Sequence, residues 1–330
     1  MTRRLLGLLA ALVALTVVVV ASIAVGTRFI EPSVVINALL GETRGEEAII
    51  VHSLRIPRTV LGIVAGVALG VAGALIQALT RNPLADSGIL GVNAGATFAV
   101  AIGVSVFGIG SITGYLWFAF VGALLVTVAV YVIGSAGRRS ADPITLTLAG
   151  VAIAAVLSGV TTAMTLINPR AFDELRNWEV GSVAGRDLGI TATIAPFVVV
   201  GVIIAVVVAR SLNSIALGDD LAVALGTRVG LVRVAVVIAV TLLAGSATAA
   251  AGPILFLGLV IPHIARWIVG PEQRWILAYT IVLSPLLLLL SDLIGRVIIR
   301  PGEMPVGIVM AFVGAPVLIF LVRRRKASSL

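Results

Sequence analysis

The sequence predicts an all-α integral membrane protein with about ten transmembrane helices, and three observations carry that prediction. Of the 330 residues 60% are hydrophobic and only 12% charged, against about 45–50% and about 25% in soluble domains. Mean hydropathy is +1.19. The apolar residues fall into runs of roughly twenty, the length a helix needs to cross about 30 Å of hydrocarbon at about 1.5 Å per residue.

Taken in order, the runs cover roughly 5–26, 59–79, 88–108, 115–135, 144–167, 189–209, 231–251, 253–270, 275–296 and 306–322. The first follows Arg3 and Arg4 and has the look of a signal peptide. Its apolar stretch exceeds the roughly 7–15 residues of a signal core and no A-x-A site follows, so it reads as a retained anchor. The eighth is the weakest, because Pro253 follows the seventh almost directly and Pro262 sits in its middle.

An even number of spans puts both termini on one side, and the arginines choose the side. With the ends inside, the inner face collects fourteen basic residues, among them Arg81, Arg138, Arg139, Arg210, Arg228, Arg325 and Lys326, against five acids including Asp142, Asp219 and Asp220. The outer face holds nine arginines and nine acids, and Asp292 lies within a span. The asymmetry matches the positive-inside rule, so both termini are expected in the cytoplasm. The net charge of +8 is thereby accounted for by topology and calls for no nucleic acid.

Several chemistries are excluded. Cysteine is absent and the two histidines are His52 and His263, which leaves neither disulfides nor a zinc cluster. The only lysine is Lys326, so no G-x-x-x-x-G-K-[ST] loop exists to hold ATP. Neither H-E-x-x-H nor G-x-S-x-G occurs, and a lone Asp292 cannot form an intramembrane aspartyl pair. No catalytic residue is expected, which leaves transport or, with less support, a membrane scaffold.

Four stretches carry information. In the second run Gly62, Gly66 and Gly70 are spaced by four, a stripe that lets another backbone approach closely; Gln77 at its inner end is either interhelical glue or pathway lining. In "RNPLADSGILG", Asn82 and Pro83 halt that helix and Asp86 or Ser87 caps the next. Arg55 and Arg58 precede the second run, and Arg296 follows Asp292 by four near the outer end of the ninth. That spacing makes a favourable helix ion pair. These arginines read either as interfacial anchors or as an outer rim that receives the acids of a soluble partner.

The fourth stretch is "LGDDLAVALGTRVG". Gly218 or Asp219 starts a short helix, Asp219 and Asp220 suit its positive N-terminus, and Gly226 ends it in a left-handed turn. Leu221, Ala222, Val223, Ala224 and Leu225 supply a small apolar surface, and Thr227 caps a second short helix leading into the next span. An element lying on lipid headgroups is usually rich in Lys and Arg. The acids here favour a rigid cytoplasmic knob for a soluble protein.

Taken together, "LRIPR", "GVALGVAGALIQALTRNPLADSGILGVNAGA", "LAGVAI", "LGDDLAVALGTRVG", "GPILFLGLVIPHIAR", "SDLIGR" and "PGEMPVGIVMAFVGAPVLIFLVRR" resemble the permease subunits of binding-protein-dependent ABC importers for iron-siderophores, haem and cobalamin. The resemblance runs from Arg55 to the C-terminus. It implies a single transmembrane permease domain over 1–330, with a cytoplasmic coupling loop at about 211–230 and outer loops at about 27–56 and 168–188. It also implies a second permease copy, identical or not, and two cytosolic ATPases that hold the ATP and magnesium. An extracytoplasmic binding protein completes the assembly in the bacterial plasma membrane. By the same resemblance Gly218, Asp219, Asp220, Leu221, Ala222, Leu225 and Gly226 engage the ATPase, while Arg55, Arg58 and Arg296 receive the binding protein. This chain itself is expected to bind no metal or cofactor. A competing expectation from another class is an ion-coupled secondary transporter with Asp292 as the titrating group.

Overall fold

A computed structural model describes residues 2–26, 30–41, 45–135 and 143–324. Arg138, Arg139, Asp142, Arg325 and Lys326, counted above for the inner face, lie outside the described residues. All regular elements among the described residues are helical, and they follow the predicted runs closely. They are α1 (Thr2–Ala24), α2 (Pro32–Leu39), α3 (Glu46–Ile50), α4 (Ile56–Thr80), α5 (Val92–Ser105), α6 (Ile112–Ser135), α7 (Pro143–Ile167), α8 (Pro169–Glu179), α9 (Leu188–Ala216), α10 (Asp219–Ala224), α11 (Val229–Ala251), α12 (Leu257–Val269), α13 (Gln273–Ile298) and α14 (Val306–Arg324). Among the described residues seven helical stretches are long and apolar enough to cross a membrane, and three shorter apolar helices, in α5, α12 and α14, match the remaining expected runs.

The centre of the bundle is α4, whose residues from Leu61 to Leu79 are largely buried. The glycine stripe explains how it gets there. A methyl group placed on Gly66 would stand 2.6 Å from the Pro285 Cα, and one on Gly62 2.6 Å from the Leu289 side chain. On Gly70 it would run into Ser284, and on Gly73 into the backbone of Gly258. Glycine at these four positions therefore brings the α4 backbone into contact with α13 and with the start of α12, as small-residue seams do between membrane helices.

Two expected loops turn out to be partly helical. The stretch 27–56 contains α2 and α3, and α3 runs through one π-helical turn, Val51–Arg55, directly into α4. The stretch 168–188 contains α8, capped by the Asn168 side chain, which accepts from the Arg170 and Ala171 amides. All three helices are short, and α3 and α8 carry charges, so a search for long apolar runs passes over them. The second short helix expected after Gly226 does not form: the Thr227 amide donates to the Ala222 carbonyl and α11 begins at Val229.

The turn after α4 follows its residues. Arg81 closes the helix in a left-handed conformation, φ 50°, Asn82 Oδ1 accepts from the Leu84 amide, and Asp86 accepts from the Gly88 amide to cap the turn Ser87–Leu90. Pro83 stands three residues past the last helical residue of α4, where its missing N–H and its effect on the preceding residue keep the helix from resuming.

Candidate functional site

Two clusters occupy opposite ends of α4. At its N-terminal end Arg58 and Arg296 converge on Asp292, and Arg55 lines the same cavity beside them. Arg58 donates through Nε to both Asp292 oxygens (3.1 and 3.0 Å) and through Nη2 to Oδ1 (2.7 Å). Arg296, one turn along α13, donates to the other side of the same carboxylate, through Nε at 3.0 Å and through Nη2. Its Nη1 reaches the carbonyls of Ser22 (2.6 Å) and Val25 (3.1 Å) at the end of α1. Arg55 donates to the Ile23 carbonyl at 3.0 Å. One carboxylate thus neutralises two guanidiniums, and carbonyls from the frayed end of α1 take up the remaining donors.

These arginines, read from sequence either as interfacial anchors or as an outer rim, are buried rather than splayed on the surface. Arg55, Arg58 and Arg296 are 7%, 9% and 1% exposed, because each is folded back on a carboxylate or a carbonyl. They line the inside of a cavity of about 300 Å³, together with Glu303, Leu54 and Gly185. Glu303 lies at its edge and accepts from Arg58 Nη1 at 2.5 Å. Asp292, clamped from both sides and 1% exposed, has the surroundings of a fixed counter-ion.

At the other end of α4, residues 218 to 226 build a projecting element. Gly218 enters it at φ 109° and Gly226 leaves it at φ 81°, conformations that only glycine adopts at no steric cost. Between them α10 buries Ala222 completely and exposes Leu221, Val223 and Leu225 by 56%, 62% and 64%. Asp220 is exposed. Asp219 turns back toward the bundle and pairs with Arg233 at 2.7 Å and with Arg81 at 3.7 Å. Three aliphatic side chains held out on a single turn of helix make a small, stiff apolar contact surface.

Two recesses lie along the flank. One of about 600 Å³ is bordered by α5, α7 and α8 and is lined by hydroxyl and polar groups, notably Asn93, Thr97, Ser158, Thr161, Arg176 and Glu179. The other, of about 610 Å³, is apolar and lined by Leu255, Ile308, Phe312, Pro316 and Ile319. They share Glu179 and Val180, so they adjoin.

The FecCD transport family model matches residues 14–324. The chain belongs to the FecCD transport family. It is 49% identical over 304 residues to the ferric enterobactin transport system permease protein of Escherichia coli (strain K12), covering 92% of this chain and 91% of that one. It is 38% identical over 279 residues to an Fe(3+)-citrate import system permease protein of Bacillus subtilis (strain 168), covering 84% and 83%. Among solved structures it resembles one described as a metal-chelate type ABC transporter in an inward-facing conformation. The TM-score is 0.85 at 22% identity, over 96% of this chain and 98% of the other. That likeness concerns the fold. With its seven long and three shorter apolar helices, this FecCD-family chain is a multi-pass protein of the plasma membrane.

Four contributors to the sites of this FecCD-family chain are not assigned by its sequence. Ser22 and the α1 carbonyls act through backbone or a lone hydroxyl and leave no pattern. Glu303 stands within the quoted "PGEMPVG", where an acid seven residues after Arg296 could have suggested a partner. Arg233 gave a clearer signal, a charge set inside the end of an apolar run, which requires a counter-ion. Gln77 was singled out, and the structure gives it a bridging role: its Nε2 donates to the Gly258 (3.1 Å) and Leu259 (3.2 Å) carbonyls, and its Oε1 accepts from Arg266.

Proposed function

We propose that this chain is the permease subunit of an ABC importer for a ferric chelate of the siderophore type, with both termini in the cytoplasm. In this reading it pairs with a second permease subunit. Two cytosolic ABC ATPases supply the energy, and an extracytoplasmic binding protein delivers the cargo. The observation that carries the proposal is the placement of two unlike surfaces at the two ends of one buried helix. Arg58 stands in the first turn of α4 and Arg81 at its C-cap, about 35 Å apart along the helix axis.

The outer surface is the arginine-lined cavity. An acidic knob entering it would meet Arg55 and Arg58, and would compete with Glu303 for Arg58 Nη1. Charge pairing of this kind orients and accelerates docking. The inner surface is α10 with its C-cap, where exposed Leu221, Val223 and Leu225 suit a cleft in an ATPase. The chain has no nucleotide loop of its own, so hydrolysis in a partner moves α10 and the helices joined to it, and access alternates between the two faces. The adjoining recesses along α5, α7, α8 and α14 form this subunit's share of the cargo path, closed by the second subunit. Ferric chelate is preferred over haem or cobalamin because the relatives named above are permeases for iron chelates.

The deciding experiment is co-purification of an ABC ATPase with this chain and stimulation of its hydrolysis by a binding protein. It is combined with uptake of radiolabelled ferric enterobactin and ferric citrate in a deletion strain. Absence of any bound ATPase, with uptake intact, would sink the proposal.

A further inference from the structure

We propose that Asp219 is the positioning residue that gears α10 to the transmembrane bundle, and that contact with the motor is left to the apolar side chains beside it. The inference rests on the reading of residues 218 to 226 as the ATPase handle and assigns the two ends of that handle different tasks.

Three observations carry it. Arg233 is 2% exposed, and its Nε and Nη1 are buried without a hydrogen-bond partner. Asp219 Oδ2, at 2.7 Å from Nη2, is the carboxylate that compensates it. A buried guanidinium stabilised by one carboxylate holds that carboxylate firmly, because separating them leaves an uncompensated charge out of water. The first residue of α10 is therefore tied to α11.

Asp219 Oδ1 faces Arg81 Nη2 at 3.7 Å. Arg81 is the C-cap of α4, and its amide donates to the Gln77 carbonyl one turn back. The side chain of Gln77 in turn bonds the Gly258 and Leu259 carbonyls and Arg266 of α12. Close by, Gly73 and Gly258 meet backbone to backbone with no room for a methyl group. A displacement of α10 thus bears on α11 directly, on α4 through Arg81, and on α12 through Gln77. The links to α11 and α12 are hydrogen-bonded, whereas the Asp219–Arg81 link is a looser ion pair whose Asp219 oxygen makes no hydrogen bond. Together they form a connected chain of contacts of the kind that carries coupling between distant sites.

Asp220, its neighbour, is exposed and takes no part in this linkage. Leu221, Val223 and Leu225 point outward. The two roles are consequently separable by mutation.

The test uses the assembled transporter with its cognate ATPase and binding protein in lipid vesicles. Asp219→Asn is expected to retain ATPase co-purification at the wild-type level. Uptake of radiolabelled ferric enterobactin should fall about tenfold, and the ratio of stimulated to basal hydrolysis should collapse toward one. Asp219→Glu keeps a carboxylate and should restore most of the uptake. Arg81→Ala removes only the solvent-facing arm and should give the same separation with a loss of about threefold; it decides the matter if Asp219→Asn does not fold. Loss of ATPase binding in step with uptake would make Asp219 a motor contact and overturn the proposal, as would unchanged uptake. Failure of the handle reading looks different: Leu221→Gln and Leu225→Gln would then leave ATPase binding intact.

Discussion

Arg58 and Asp292 stand 234 residues apart in the chain and are joined by three hydrogen bonds of 2.7 to 3.1 Å. The pair locks the start of α4 to the end of α13, and Arg296 on the far side of the carboxylate adds the end of α1 to the same knot.

Asp292→Asn leaves two buried arginines sharing one neutral amide. Breaking a buried pair from one side costs about 3–5 kcal/mol, so a large fall in the unfolding temperature of the detergent-solubilised protein is expected. A change within the noise of the measurement would mean that water reaches the knot and screens it.

Gly66→Ala and Gly73→Ala test the seam. Each adds a methyl group where backbone atoms of α13 or α12 already stand, and overpacking of this kind costs about 1–3 kcal/mol. Gly230→Ala is the control. It lies in α11 with nothing within 4 Å of the added carbon, and helix propensity predicts a neutral or slightly stabilising effect of about 0.5–1 kcal/mol. Thermal unfolding of the three variants side by side should rank them in that order.

Docking has a signed prediction on each side of Arg58. Arg58→Glu should weaken capture of the binding protein by at least about tenfold. Glu303→Gln frees Arg58 Nη1 for an incoming acid and should raise the association rate a few-fold, with the gain fading as salt screens the charges. Binding kinetics on immobilised transporter at low and high ionic strength separate these outcomes. A slower association for Glu303→Gln would show that Glu303 itself meets the partner.

Leu221→Gln combined with Leu225→Gln should abolish ATPase co-purification while leaving the unfolding temperature nearly unchanged. Both side chains are more than half exposed, and substitutions at such positions shift stability by only about 0.5 kcal/mol. Pull-down of the cognate ATPase from detergent is the measurement.

The hydropathy pattern by itself determined the ten apolar helices, most of them to within a few residues, although α9 runs to Ala216, well past the expected end at 209 and into the expected loop. A bilayer forces any spanning segment to satisfy its own backbone hydrogen bonds, so helix length and apolar length must agree. The α4 seam, the stop at Asn82–Pro83 and the short glycine-bracketed α10 were legible for an equally local reason: glycine and proline restrict the chain where they stand. Helices α2, α3 and α8 were not legible, since helices of five to eleven residues are too short to show as spans and depend on the bundle beneath them. What only the tertiary structure decided is where the charges go. That Arg58 joins Arg296 on Asp292, which the i,i+4 spacing already pairs with Arg296, that Glu303 caps Arg58, and that Asp219 reaches back to Arg81 and Arg233 are contacts between residues up to 274 apart once the α1 end is included. No periodicity encodes such pairings. They follow from low-dielectric burial, which obliges each guanidinium to find an acceptor wherever the packed helices bring one within reach.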